Sequence, residues 1–259
     1  MRRMPNIELT QKEDENIARH RQISSGGEGI VCKGIDSKTA YKFFVEYDSI
    51  KPIGMLENKE RKIISLYENP ILGSVQPLST ISMDGHLIGY EMTYDKYDIS
   101  FENALLPRRQ IIRYLKQSSE ILKYFASKDI IYGDVRPKNI LINIITGQAK
   151  FCDMDNIQLK NMPMDLLVDY IDSFFSPFKY YSTAEQLDSS VDVYMHNLMT
   201  LQKLSTKKLY YDELLIKLEN KSYKSLKNKK AQEIVDSMSS QQSFIPEYVV
   251  QYMKKIKFK

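Results

Sequence analysis

The stretch that decides the fold is residues 130–142, which read Ile130-Ile131-Tyr132-Gly133-Asp134-Val135-Arg136-Pro137-Lys138-Asn139-Ile140-Leu141-Ile142. A polar, charged loop lies between two short apolar runs, a pattern that predicts a β-like pair with the loop at one end. Asp134, Arg136 and Asn139 would then lie near one another. Asp134 is suited to accept a hydrogen bond from an attacking hydroxyl, because a positioned carboxylate is a common general base.

A second carboxylate follows where a short apolar run at Phe151 ends in Asp153. Asn139 and Asp153 offer the amide and carboxylate oxygens that Mg²⁺ prefers. Taken singly, a loop Asp or a turn-forming Asn is the commoner explanation. The set in this order is typical of phosphoryl transfer, which needs a metal site and a group that orients the acceptor.

Phosphoryl transfer also needs a cradle for the polyphosphate, and residues 25–31 offer one as Ser25-Gly26-Gly27-Glu28-Gly29-Ile30-Val31. Glycines let backbone N–H groups approach phosphate oxygens without an intervening Cβ. Taken alone, the same stretch is equally well explained as a glycine-rich hairpin turn without a ligand.

Lys42 interrupts an otherwise apolar strand candidate, residues 40–45. A cation there is costly unless a carboxylate or a phosphate neutralises it. Glu60, on the helix that follows, is the natural partner, and Glu57, one turn away on the same face, is a second candidate. A lysine on an edge strand that reaches solvent is the alternative explanation.

The order of elements predicts an α+β fold with two lobes. Short β-like runs in residues 22–45 and 76–93, the second broken by the turn signal Asp84-Gly85, flank a helical stretch at 53–68. They predict a small antiparallel lobe with one main helix. A long helix opens at Pro107, which is favourable at a first helical turn.

We therefore expect an N-terminal extension at residues 1–20, a small lobe at 21–96 and a mainly helical lobe at 97–259.

The bulk properties exclude little but favour a cytoplasmic protein. A formal net charge of +4 is mild for 259 residues and does not require a nucleic-acid partner. Cys32 and Cys152 are far apart, without the spacing of a zinc site or a disulfide framework. No secretory signal is evident at the N-terminus and no window is long enough to insert into a membrane.

These motifs, in this order and spacing, resemble the protein-kinase superfamily, over residues 23–198 at least. Residues 24–31 are similar to the glycine-rich loop, 40–42 to the V-A-I-K lysine, 132–139 to the H-R-D-x-K-x-x-N loop and 153–155 to D-F-G. Two further stretches resemble protein kinases in particular: Thr183-Ala184-Glu185 the A-P-E motif, and Val191-Asp192-Val193-Tyr194 the start of helix F.

The resemblance implies a bilobal kinase-like fold with ATP in the cleft and a protein substrate of unknown identity. It assigns Asp134, Lys42 and Arg136 to catalysis, and Asn139 and Asp153 to Mg²⁺. The residues that it assigns to nucleotide binding are Gly26, Gly27, Gly29, Val31, Lys42, Glu60 and Met92. It favours Glu60 over Glu57, and it implies that Asp192 holds the catalytic loop through its backbone.

Several residues depart from the family pattern. Gly133 replaces the Arg of H-R-D, which in the family pairs with an activating phosphate, so the usual switch is not expected. Asp155 replaces the Gly of D-F-G and would either join the metal site or favour another loop geometry. Arg136 replaces the Lys usual in Ser/Thr kinases, so that the acceptor residue is less well defined.

Two other functions remain open. Gly133-Asp134 is also similar to the H-G-D motif of small-molecule kinases of the aminoglycoside or choline type. A pseudokinase, which uses the fold as a scaffold, is the second alternative. The presence of Lys42, Asp134, Asn139 and Asp153 argues against it. The sequence thus predicts an ATP- and Mg²⁺-dependent protein kinase, with Ser/Thr as the expected acceptor.

Overall fold

The structure is a computed structural model, and it describes residues 3–10, 12–13, 17, 22–26, 29–34, 36–44, 55–160, 162–164 and 187–204. The chain divides into two compact units. Unit 1 comprises Met1–Ile99 and Asn143–Asp155, and unit 2 comprises Ser100–Ile142 and Asn156–Lys259.

In these residues the strands are β1 (Asn6–Glu8), β2 (Gln22–Gly26), β3 (Gly29–Lys33), β4 (Thr39–Phe44), β5 (Pro77–Met83), β6 (His86–Thr93), β7 (Asp98–Ser100), β8 (Ile140–Asn143) and β9 (Ala149–Phe151). The α-helices are α1 (Met55–Glu68), α2 (Arg108–Ala126) and α3 (Ser190–Leu204). Pro137–Asn139 and Met154–Asn156 form single turns of 3₁₀-helix.

Unit 1 is built on a six-stranded sheet in the order β1-β5-β6-β4-β3-β2. All neighbouring strands are antiparallel except β1 and β5, which run parallel. Strands β7, β8 and β9 form a second, three-stranded sheet in that order.

The turn between β5 and β6 confirms the hairpin predicted from Asp84-Gly85. Both residues have positive φ, at 52° and 75°, and Met83 pairs with His86 across the turn. Left-handed backbone at both central residues is what a two-residue type I′ hairpin requires, and Asp-Gly is a favoured sequence for it.

Strand β4 is buried on both faces, which explains its nearly continuous apolar sequence. Successive side chains of a strand point to opposite faces. Tyr41 and Phe43 join a core cluster that includes Cys32 and Ile81. Lys42 therefore lies on the other face, where it is buried among polar groups of unit 1.

Helix α1 packs against β5 and β6. Its buried positions are Lys59, Lys62, Ile63 and Leu66, a spacing that places all four on one face of the helix. Two of the four are lysines, so this face brings positive charge into the interior of unit 1.

In unit 2, helices α2 and α3 pack against each other. Helix α2 begins after Pro107, as predicted, and buries Tyr114, Leu115, Leu122 and Phe125. His196 of α3 lies 2.9 Å from the Ser118 hydroxyl and 2.9 Å from the Leu115 carbonyl, both on α2.

The predicted α+β, kinase-like fold is confirmed, with a β-rich unit carrying one main helix and helices in the other unit. None of the helices in the described part of the chain has the length and apolar character needed to cross a membrane. Gly27, Thr183-Ala184-Glu185 and the expected C-terminal helices lie outside the described residues.

Candidate active site

The first group of predicted site residues lies in unit 1, around Lys42. Its ammonium forms ion pairs with two carboxylates, those of Asp153 and Asp155, the second at 2.5 Å. Burial lowers the pKa of Lys42, but the charges of Asp153 and Asp155 outweigh this and raise it well above its ordinary value. Lys42 is therefore a fixed, fully charged cation.

Asp155 is the more deeply buried of the two carboxylates. Its side chain is 0% exposed, against 29% for Asp153. Oδ2 of Asp155 accepts from Lys59 at 2.7 Å, and Oδ1 accepts from Lys42 and, at 3.1 Å, from the Tyr90 hydroxyl. Burial would raise the pKa of Asp155, but the two lysines hold it well below its ordinary value.

The glycine-rich hairpin places its described residues beside this group. Val31 of β3 lies opposite Lys42 in the ladder. A Cβ added to Gly29 would lie 3.4 Å from Cε of Lys42 and would collide with the Phe43 carbonyl. Close packing against β4 therefore requires glycine at position 29 whether or not a ligand binds there.

Met92 and Glu60, both assigned to nucleotide binding by the resemblance, also lie in unit 1. Met92 is buried in β6 opposite Ala40. Glu60 is half-buried on α1. The ion pairs of Lys42 are with Asp153 and Asp155, so the expected pair with Glu60 is not formed. The cause is the helical phase, because Lys59, and not Glu60, lies on the buried face of α1.

The second group of predicted residues lies in unit 2, in the loop before β8. Arg136 Nε donates to Oδ1 of Asp134, and Asn139 Nδ2 donates to Oδ2 of Asp134 at 2.6 Å and to its backbone carbonyl at 3.0 Å. The Asp134 carboxylate is thus held from two sides. Because Asn139 uses its amide nitrogen here, its oxygen is the atom suited to a cation.

Asp192, at the start of α3, holds the backbone of this loop. Its carboxylate accepts the N–H of Tyr132 at 2.8 Å and that of Gly133 at 2.7 Å, which confirms the role that the resemblance implied. Burial raises the pKa of Asp192 to about 7, against these two hydrogen bonds, which lower it. The residue that precedes Asp134 is therefore fixed from the helix.

Two site residues have left-handed backbone. Gly133 has φ +73°, and a Cβ at this position would collide with the side chain of Met164. Asp153 has φ +62°, a conformation that Asp tolerates better than most residues with a side chain. At both residues the backbone therefore departs from the geometry of a strand or a right-handed helix.

Comparison with known proteins finds kinases that are similar to this chain at low sequence identity. The chain is 25% identical over 227 residues to serine/threonine-protein kinase ATG1 of Kluyveromyces marxianus, which covers 74% of this chain and 27% of that protein. It is 23% identical over 259 residues to the glycogen synthase kinase-3 homolog YGK3 of Saccharomyces cerevisiae, covering 91% of this chain and 68% of the relative. These similarities support membership of the protein-kinase superfamily.

A third similar protein is mitogen-activated protein kinase 20 of Arabidopsis thaliana, 26% identical over 140 residues, or 51% of this chain. The chain spans about a quarter of this relative and of ATG1. No family model matches the chain.

Sequence reasoning missed Lys59 and Tyr90, which both contact Asp155. For Lys59 a signal was present. Lys59 and Lys62 fall in register with Ile63 and Leu66 on the apolar stripe of α1, where a cation requires a buried carboxylate. The unassigned Asp155 was the carboxylate to consider.

In the described residues no group of three or more His, Cys, Asp or Glu side chains could hold a metal ion. Mg²⁺ in nucleotide sites needs fewer protein ligands, since phosphate oxygens and water complete its shell. Asp153, with 29% of its side chain exposed, and Asn139 have the donor atoms that suit it.

Proposed function

We propose that this chain is an ATP- and Mg²⁺-dependent protein kinase that transfers the γ-phosphoryl group to Ser or Thr hydroxyls of a protein substrate in the cytoplasm. The observation that carries the proposal is the loop around Asp134. Its carboxylate is held by Arg136 and Asn139, and its backbone is anchored by Asp192. Phosphoryl transfer requires a base that is held in a fixed position beside the acceptor hydroxyl.

Each residue then has a separate task. Asp134 accepts a hydrogen bond from the acceptor hydroxyl and orients it for attack, and Arg136 supplies positive charge near the transferred group. Lys42 neutralises nucleotide phosphates, with Gly26, Gly29, Val31 and Met92 around the nucleotide. Mg²⁺ held by Asp153 and Asn139 would offset the charge that develops on the phosphate oxygens.

The identity of the relatives supports a protein acceptor, since two of those compared above, ATG1 and mitogen-activated protein kinase 20, are named as protein kinases. The anchoring of the loop by Asp192 supports the same choice over a small-molecule acceptor, because this helix-F aspartate belongs to the protein-kinase pattern.

The test is phosphate transfer from labelled ATP with Mg²⁺ to a panel of generic proteins and small alcohols. We expect label on protein Ser or Thr, and Asp134→Asn should lower turnover by about 10²- to 10⁴-fold with nucleotide affinity nearly unchanged. Asp129→Asn is the matched control, because Asp129 is exposed, lies five residues upstream and loses the same charge.

Label appearing only on small alcohols would favour the small-molecule kinase. Nucleotide binding without transfer to either panel would favour the pseudokinase. An Asp134→Asn variant as active as Asp129→Asn would remove Asp134 from the mechanism.

A further inference from the structure

The interior of unit 1 holds a carboxylate, Asp155, at a position where the family pattern has glycine. Each oxygen of Asp155 has a cationic partner: Oδ1 accepts from Lys42 at 2.5 Å and Oδ2 from Lys59 at 2.7 Å. The Tyr90 hydroxyl adds a third hydrogen bond. A group so fully engaged and so completely buried has a fixed position.

Among the four side chains joined by these ion pairs, positive and negative charges are equal in number. Lys42 and Lys59 carry two positive charges, and Asp153 and Asp155 carry two negative charges. Without Asp155, Lys42 and Lys59 would lose the carboxylate that they share. Because isolated charges are very costly in an interior, the second carboxylate makes a lysine on the buried face of α1 tolerable.

Lys59 also lies in a setting suited to a permanent cation. Its side chain is 1% exposed, and its Nζ lies 5.1 Å from the centre of the Phe44 ring, within the range of a cation–π contact. It reaches Asp155 from the helix, whereas Glu60, the next residue, forms no ion pair with Lys42.

We propose that Asp155 is the positioning residue that holds Lys42, in the role expected of Glu60, and that Lys59 anchors Asp155 from α1. Compared with the expected pair between Lys42 and Glu60, the charge of the helix residue is reversed. Helix α1 supplies a cation, Lys59, and the segment after Asp153 supplies the carboxylate. The inference deepens the proposed function and rests on it where turnover is concerned.

The same contacts decide between the two roles left open for Asp155. Its oxygens are both occupied by lysines and its side chain is 0% exposed, so it does not take part in a metal site. Asp153, which is 29% exposed, is the carboxylate of the pair that remains accessible. Asp155 therefore acts through Lys42 and does not touch the reacting groups.

The first measurement is a double-mutant cycle on folding with Asp155→Asn, Lys59→Met and the double variant. Each single variant leaves these ion pairs with unequal numbers of buried positive and negative charges and should lower the folding equilibrium constant by roughly 10²-fold or more. The double variant restores the balance and should fold within about tenfold of wild type. If the losses in the folding equilibrium constant of the two single variants simply multiply in the double variant, Lys59 does not anchor Asp155.

The second measurement needs no phosphate transfer. Trace acetylation of lysines across a pH series, read by mass spectrometry, reports the pH at which Lys42 becomes reactive, with exposed Lys33 as internal reference. The midpoint for Lys42 should be roughly one to three pH units lower in the double variant than in Lys59→Met alone, because these two proteins differ only by the negative charge of Asp155. Equal midpoints in the two would overturn the inference regardless of any activity.

The third measurement is steady-state turnover of the double variant. A positioning role predicts kcat at least tenfold below wild type although the fold is recovered, while Glu68→Gln, exposed on the same helix, serves as the control. Wild-type kcat in the double variant, or an equal loss of kcat in Glu60→Gln, would overturn the positioning role. If wild type transfers no phosphate but the Lys42 midpoint moves as expected, the proposed function fails and the Asp155–Lys42 contact stands.

Discussion

Asp192 and His196, one turn apart on α3, are expected to give this protein opposing pH dependences of stability. Both side chains are buried. Burial raises the pKa of Asp192 to about 7 from 3.8, against the hydrogen bonds from Gly133 and Tyr132. Burial lowers the pKa of His196 from 6.5 to about 4, against the hydrogen bond at the Leu115 carbonyl, which raises it. The two shifts have opposite consequences for folding.

The folded state binds a proton on Asp192 more readily than the unfolded state does. Its contribution to stability is therefore complete below pH 3.8 and is lost as the pH rises to 7, by roughly 4 kcal/mol. The folded state binds a proton on His196 less readily than the unfolded state. That contribution is complete above pH 6.5 and is lost as the pH falls to 4, by roughly 3 kcal/mol.

The assay is urea unfolding, followed by far-UV circular dichroism at intervals from pH 4 to 8, of wild type, Asp192→Asn and His196→Gln. The free energy of unfolding of wild type minus that of Asp192→Asn should fall as the pH rises from 4 to 7. Wild type minus His196→Gln should fall as the pH drops from 6.5 to 4. Taking differences removes the titration of all other groups, so two flat differences, or two with the same sign, would refute the reasoning.

Two further predictions concern single residues. Asp153→Asn should abolish the effect of Mg²⁺ on ATP affinity, as measured by calorimetry. The control is Asp84→Asn, which changes an exposed aspartate with the same left-handed backbone and should keep the Mg²⁺ effect. An equal Mg²⁺ effect in both variants would show that Asp153 is not the metal ligand. Gly133→Ala should lower the free energy of unfolding by about 1–2 kcal/mol because of the φ of +73°, and by a further amount because the new Cβ displaces Met164. Gly85→Ala, whose added Cβ has open space, should lower the free energy of unfolding less. Equal losses in the two glycine variants would contradict the contact with Met164.

The elements of the fold could be predicted because each has a local signal. The Asp84-Gly85 turn, the apolar run of β4 and the periodicity after Pro107 all depend on residues close in sequence, and the structure has the expected elements there. The loop around Asp134 brings Asp134, Arg136 and Asn139 together as predicted, but the expected β-like pair on either side of it is wrong, because Ile131 pairs with Gln158 and not with β8. Its contact with Asp192, distant in sequence, was implied only by the family resemblance.

The partner of Lys42 could not be chosen in the same way. Residues 59 and 60 differ by 100° around a helix, so an error of one position in the phase replaces a carboxylate with an ammonium. The apolar stripe of α1 indicated the right phase, but it placed a cation in the interior, which is unfavourable until Asp155 is brought to it. Only the tertiary structure supplies that contact.

Gly133 shows how a departure from the family pattern can be fixed by backbone geometry. Its N–H reaches Asp192 while its φ is +73°, and the side chain of Met164 lies where its Cβ would be. An arginine at this position would be strained at that φ and would displace Met164, and a shift of the backbone to relieve the strain would weaken the hydrogen bond to Asp192. The position that carries the phosphate-sensing arginine in the family is thus used here to anchor the loop that holds Asp134.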